Sequence, residues 1–82
     1  MVHVVIAGAD GRQFTGGAAA FDVEATTVRR LILALEARFP GLGDYVDRKM
    51  AIAIDGEIHQ QAYAAELAPG AEVYLIPKIG GG

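Results

Sequence analysis

The chain has 82 residues, of which 52% are hydrophobic, so it can form one domain with a modest core and is too apolar for a disordered segment. Its net charge of −3, with scattered basic residues, argues against a nucleic acid partner, because phosphate binding needs clustered Lys and Arg. The absence of cysteine excludes disulfides, thiolate metal sites and iron–sulfur clusters. No stretch approaches the roughly 20 apolar residues that span a bilayer. We therefore expect a soluble, cytoplasmic protein with no membrane partner.

The N-terminal quarter of the chain predicts a β-hairpin. Residues 2–7 form a β-branched run that is typical of a buried strand. Asp10-Gly11 is a hairpin turn signal, and a second strand is predicted over residues 12–21. Gly16-Gly17 lies within that strand and indicates a bulge.

A single main helix is predicted next. Thr26 and Thr27 are alternative N-caps, and the apolar residues that follow recur at helical spacing as far as Phe39. Pro40-Gly41 ends this helix. Residues 42–48 are predicted to form a connector that holds one helical turn.

The second half of the chain predicts further strands. Residues 50–54 alternate and stop at a turn, and residues 57–67 suggest a short strand and a helical turn. The last strand covers residues 73–76 and stops at Pro77. This order predicts an α+β fold of the β-grasp type, a mixed sheet crossed by one main helix. One domain is expected over residues 1–77, and a flexible tail over residues 78–82.

The tail offers the clearest chemistry in the chain. A free α-carboxylate on Gly82 is ionised at neutral pH and can attack the α-phosphate of ATP when an enzyme positions the two. A glycine backbone also passes through a narrow channel that side chains would block. The alternative is that the three terminal glycines are a frayed end without a function.

The chain resembles the family of molybdopterin synthase small subunits and thiamine sulfur carriers (MoaD/ThiS), which are ubiquitin-like. The matching segments are residues 50–56, residues 67–73 with the pattern Leu-x-x-Gly-x-Glu-Val, and residues 76–82 with a terminal diglycine. The resemblance implies that an adenylating enzyme of the ubiquitin-activating type uses ATP to activate Gly82, with Gly81 as its companion. Sulfur then forms a thiocarboxylate, which a synthase subunit accepts. No cofactor is expected on the chain itself.

The resemblance leaves the pathway open. Chain length and Pro77 favour the molybdopterin type, and hence molybdenum cofactor biosynthesis. Lys78 stands where that type often has a second proline, and Gly80 stands where alanine or serine is common. Thiamine, cysteine, siderophore and tRNA thiolation pathways therefore remain alternatives.

The last strand also predicts where a partner binds. If Val73 and Leu75 point into the core, alternation places Tyr74 and Ile76 on the opposite face, where they would form part of an apolar patch. With the opposite parity, both would be core residues. The predicted partner-binding residues are Tyr74, Ile76, Pro77, Lys78, Ile79 and Gly80.

No set of catalytic or metal-binding residues is predicted. His3 and His59 are the only histidines, and their spacing suggests solvated or edge-strand positions more than a metal site. We expect a protein co-substrate and not an enzyme, although it could be the small subunit of a synthase. A ubiquitin-like modifier conjugated to lysines and a non-catalytic β-grasp interaction module are the alternatives.

Overall fold

The computed structural model describes residues 1–59 and 63–78. Five strands form one sheet in the order β2-β1-β5-β3-β4. The strands are β1 (Val2–Ile6), β2 (Ala20–Val23), β3 (Met50–Ile54), β4 (Glu57–His59) and β5 (Glu72–Pro77). The first and last strands pair in parallel at the centre, and the other pairs are antiparallel. This mixed sheet confirms the predicted α+β fold and the β-grasp arrangement.

The helices supply one layer that covers one face of the sheet. They are α1 (Ala9–Arg12), which continues into a 3₁₀ turn (Gln13–Thr15), α2 (Val28–Arg38) and α3 (Leu42–Lys49). Thr27 is the N-cap of α2, because its side-chain oxygen accepts a hydrogen bond from the backbone N–H of Arg30 at 3.2 Å. The structure thus decides between the two predicted caps.

The core lies between the sheet and the two longer helices. Its strand residues follow the alternation of the sheet, and its helix residues follow the apolar stripes of α2 and α3. Burial of a large aliphatic side chain contributes about 1.5–3 kcal/mol, so these residues dominate the stability of the domain. The side chains buried most completely are Val2, Val4, Ile6, Leu31, Leu35, Leu42, Val46, Val73 and Leu75.

The predicted tight hairpin at Asp10-Gly11 is wrong, although β1 and β2 do pair. Both residues lie in α1, and Gly11 is buried against the end of β1. A Cβ on Gly11 would lie 2.8 Å from Cγ2 of Ile6, so glycine permits this close packing. The second strand is also shorter than predicted, since β2 begins at Ala20. Residues 16–17 lie in the preceding turn and form no bulge.

The segment after α2 is a two-turn helix and not the predicted connector. Leu42 and Val46 lie one turn apart in α3 and are both buried. The helix has no capping side chain of its own at Gly41. Instead, the carboxylate of Glu36 in α2 accepts hydrogen bonds from the backbone N–H groups of Gly41 and Asp44, at 2.7 and 3.2 Å. A cap supplied from another helix leaves no local sequence signal.

The remaining predictions for the second half hold where the structure describes them. The turn at Asp55-Gly56 has positive φ at both residues, as a tight hairpin between β3 and β4 requires. The helical turn predicted within residues 57–67 falls in part on residues 60–62, which lie outside the described residues. Across residues 1–59 and 63–78, no helix has the length and apolarity needed to cross a membrane.

Candidate functional site

Strand β5 carries three of the predicted partner-binding residues, Tyr74, Ile76 and Pro77, and leads toward the C-terminal glycines. Its side chains alternate strictly. Val73 and Leu75 are completely buried beneath the helices, whereas Tyr74 is 42% exposed and Ile76 is half-buried on the other side of the sheet. Strand parity therefore places Tyr74 and Ile76 opposite the core, which decides between the two sequence-based alternatives. We call the sheet face that α2 and α3 leave uncovered the open face.

An apolar row crosses the whole open face. Tyr74 lies opposite Val5 on one side and Ala53 on the other. The row continues from Val5 to Ala20 on β2, and from Ala53 to Ile58 on β4. Ile58 is 61% exposed, and the small side chain of Ala53 separates it from Tyr74. The open face thus offers a continuous apolar stripe that spans all five strands.

The end of β5 forms the point from which the tail leaves the sheet. Ile76 lies opposite Ala51 and widens the apolar stripe toward this end. Pro77 and Lys78 are exposed. The backbone N–H of Lys78 donates to the carbonyl oxygen of Lys49 at 3.1 Å, so pairing continues one residue beyond the strand. The chain is therefore anchored as far as Lys78.

The opposite end of the open face is polar. His3 lies between Asp22 on β2 and Glu72 on β5 in the strand register. Its Nδ1 atom is 3.0 Å from Oδ1 of Asp22. The backbone N–H of Glu72 donates to Oδ1 of Asp55 at 3.0 Å. We call the set Asp22, His3, Glu72 and Asp55 the acidic row.

The helical side of the molecule holds a small cavity between α2, α3 and β3. It encloses about 30 Å³, which has room for water and lies far below the roughly 300–1,000 Å³ of ligand pockets. Tyr63 and Asp47 line it, and the Tyr63 hydroxyl donates a hydrogen bond to the Asp47 carboxylate. That bond raises the pKa of Tyr63 above its usual value of 10.0. The open face is therefore the stronger candidate for a functional surface than this cavity.

The structure brings together part of the predicted site. Tyr74, Ile76, Pro77 and Lys78 follow one another along one strand and its exit, whereas residues 79–82 lie outside the described residues. The other members of the apolar stripe escaped sequence reasoning, because only strand register places them beside Tyr74. They are Val5, Ala20, Ala51, Ala53 and Ile58.

The two histidines do not form a common site. His3 lies on β1 and His59 on the edge strand β4, three strands away in the sheet order. Within residues 1–59 and 63–78, no three His, Asp or Glu side chains converge as a metal-binding group.

Several solved structures share this fold. A chain of the Amycolatopsis orientalis BexX/CysO complex is 22% identical, with 100% of each chain covered and a TM-score of 0.83. Small archaeal modifier protein 1 (SAMP1) from Haloferax volcanii is 26% identical, with 99% of this chain and 98% of that chain covered and a TM-score of 0.70. A putative molybdopterin converting factor subunit 1 from Pyrococcus furiosus is 23% identical, with 95% and 97% covered and a TM-score of 0.75.

Comparison with protein-family profiles also gives a match. No curated protein matches the chain significantly. The profile of the ThiS family matches residues 9–82, which includes α1, every element after it and the terminal glycines. With a match over nearly its whole length and the ubiquitin-like β-grasp fold, the chain belongs to the ThiS family.

Proposed function

We propose that this chain is a sulfur carrier that is activated at Gly82. A carboxylate oxygen of Gly82 attacks the α-phosphorus of ATP, pyrophosphate leaves, and an acyl-adenylate forms. A hydrosulfide ion then attacks the carbonyl carbon, AMP leaves, and a thiocarboxylate remains. The observation that carries this proposal is the family match, which extends through Gly81 to Gly82.

The geometry of β5 supports this role. The strand is central, paired on both sides, and anchored through Lys78, so the tail starts from a defined point beside the open face. Ordering a glycine costs about 1–2 kcal/mol, so three glycines cost roughly 3–6 kcal/mol. At about 25 cal/mol per Å² of apolar surface, burial of roughly 200 Å² offsets this cost. We propose that the stripe around Tyr74 and Ile76 provides that contact, and that Pro77, Lys78, Ile79 and Gly80 guide the tail.

The proposed partners are an adenylating enzyme of the ubiquitin-activating type and a synthase subunit that accepts the sulfur. In this scheme the chain is a co-substrate in the cytoplasm, and the partner binds ATP. The molybdopterin type is favoured by Pro77, and the likeness to the Pyrococcus furiosus protein supports the same choice. Deletion of the gene should then abolish molybdoenzyme activity, and growth that instead requires thiamine or cysteine would assign another pathway.

Intact-mass analysis tests the chemistry. The protein is incubated with ATP and with the activating enzyme purified from the same cell, which should add AMP to it. Added sulfide should then replace one carboxylate oxygen of Gly82 with sulfur. Deletion of Gly82 should abolish both changes, whereas the control Ala18→Gly, at an exposed loop residue before β2, should retain them. Modification that persists without Gly82 would refute the proposal. The mass of the protein from its own cell tests the requirement that Gly82 carries a free carboxylate.

A second candidate function is that of a protein modifier conjugated to lysines through Gly82. The likeness to the Haloferax volcanii small archaeal modifier protein, at 26% identity, favours this candidate. It predicts isopeptide-linked species of higher mass in cells, which disappear when Gly81 and Gly82 are removed. A phenotype unchanged by that truncation would instead indicate a pure interaction module.

A further inference from the structure

The open face changes in chemical character along β5. The strand begins at Glu72 in the acidic row, passes through the apolar side chains of Tyr74 and Ile76, and is followed directly by Lys78. The six steps from Glu72 to Lys78, at about 3.3 Å each, span roughly 20 Å. The face is therefore polar at both ends, with opposite signs of charge.

Within the part of the chain that the structure describes, no lysine or arginine side chain forms an ion pair with the acidic row. The side chain of Asp22 is 63% exposed and pairs with His3, whose side chain is 46% exposed. Across residues 1–59 and 63–78, the other ion pair joins Arg48 to Asp44, so neither Glu72 nor Asp55 pairs with a lysine or arginine there. The row therefore holds three carboxylates against one histidine, so its net charge at neutral pH is negative.

The end at the tail exit has more basic than acidic residues, since Lys49, Lys78 and Arg12 lie there with Asp10 of α1 nearby. Lys49 and Lys78 are exposed and linked through their backbones, and they flank the start of β3 and the end of β5. Arg12 lies at the same end of the sheet, where its Nε donates to the carbonyl oxygen of Ile6 at 3.1 Å. An apolar stripe alone lets the domain dock in either direction along β5. Opposite charges at its two ends distinguish those directions.

We propose that the acidic row orients this chain on its activating enzyme, an inference that rests on the proposed function. The enzyme carries an apolar patch that packs on the row around Tyr74. It also carries arginine or lysine side chains about 20 Å from the entrance of the channel that takes the tail, a distance that follows from the strand rise. In this orientation the carboxylates of Asp22 and Glu72 meet cations, and the tail points into the active site. The reversed orientation brings like charges together and is rejected.

Steady-state adenylation with the purified activating enzyme and ATP, followed as pyrophosphate release, tests this inference. The test variant is Asp22→Lys/Glu72→Lys. The matched control is Glu24→Lys/Glu66→Lys, which makes the same change in charge at exposed acidic residues outside the acidic row. We expect KM to rise about tenfold in the test variant, as for reversal of two exposed charges at an interface, with kcat unchanged. The control should keep the wild-type KM, and added salt should lower kcat/KM less in the test variant than in wild type.

Three results would overturn the inference. Equal KM values for the test variant and the control would refute the orientation by the acidic row and leave the proposed carrier function intact. Circular dichroism must show that both variants are folded. A wild-type protein that the enzyme does not adenylate would overturn both proposals. Sedimentation that reveals a wild-type dimer lost on reversal of Asp22 and Glu72 would assign the open face to a second copy of the chain.

Discussion

Replacing Gly43 with alanine tests how closely α2 and α3 must cross. Gly43 is buried in the first turn of α3. A Cβ at this position would lie 2.7 Å from the carbonyl oxygen of Ile32 and 2.7 Å from Cβ of Glu36. Because the carbonyl belongs to the backbone of α2, no side-chain rotation can relieve the clash, and the two helices must move apart.

Two opposing effects decide the sign of this substitution. Alanine is favoured over glycine inside a helix by about 1 kcal/mol. Overpacking of a filled interior costs about 1–3 kcal/mol. The clash at Gly43 involves backbone and a second Cβ at once, so we place its cost toward the upper end of that range and expect a net loss of about 1–2 kcal/mol. For a domain of this size, that loss lowers Tm by roughly 10 °C.

Urea denaturation followed by far-ultraviolet circular dichroism measures the change in the free energy of unfolding. The control is Ala37→Gly on the exposed side of α2, which should lose about 1 kcal/mol from helix propensity alone and so calibrates that effect in this protein. A Gly43→Ala variant that is as stable as wild type, or more stable, would refute the packing argument.

Two further predictions concern the helix caps. Thr27→Ala should lower the free energy of unfolding by about 0.5–2 kcal/mol, because it leaves the N–H of Arg30 without its side-chain acceptor. Thermal melts check this against Thr26→Ala, which removes no cap; equal losses would contradict it. The backbone bond from Gly41 is the largest of the effects that lower the pKa of Glu36 below its usual 4.5. The stabilisation that the ionised Glu36 carboxylate provides is therefore fully present above pH 4.5 and is lost as the pH falls through the lowered pKa. The Tm of Glu36→Gln should accordingly lie below that of wild type at neutral pH and converge with it in acid, and a gap that persists in acid would refute the assignment.

Local sequence patterns were sufficient to predict the elements whose defining residues lie close together in the chain. The spacing of apolar residues and the hydroxyl of Thr27 predict α2 to within a residue of its observed start. Strict alternation along residues 73–76 leaves only the parity of β5 open, and the burial of Val73 settles it. Both cases depend on contacts between residues within four positions of each other, which the sequence displays directly.

Other elements depend on partners that are distant in the chain, and local reasoning missed them. The N-terminus of α3 is capped by Glu36 from the preceding helix, so its own first residues carry no cap signal. Asp10-Gly11 suggests a hairpin, but the close approach of Gly11 to Ile6 favours a short helix that packs on the end of β1.

The same division holds for the functional site. The sequence by itself suggested the chemistry proposed for the tail, because the narrowness of a glycine backbone is a property of those residues alone. It also determined, through the alternation of β5, which residues of that strand share a face. Only the tertiary structure decided what lies beside Tyr74, because the register of five strands brings together residues that are far apart in the chain. That register creates both the apolar stripe and the acidic row, and side-chain direction in a sheet has meaning only after the strands have paired.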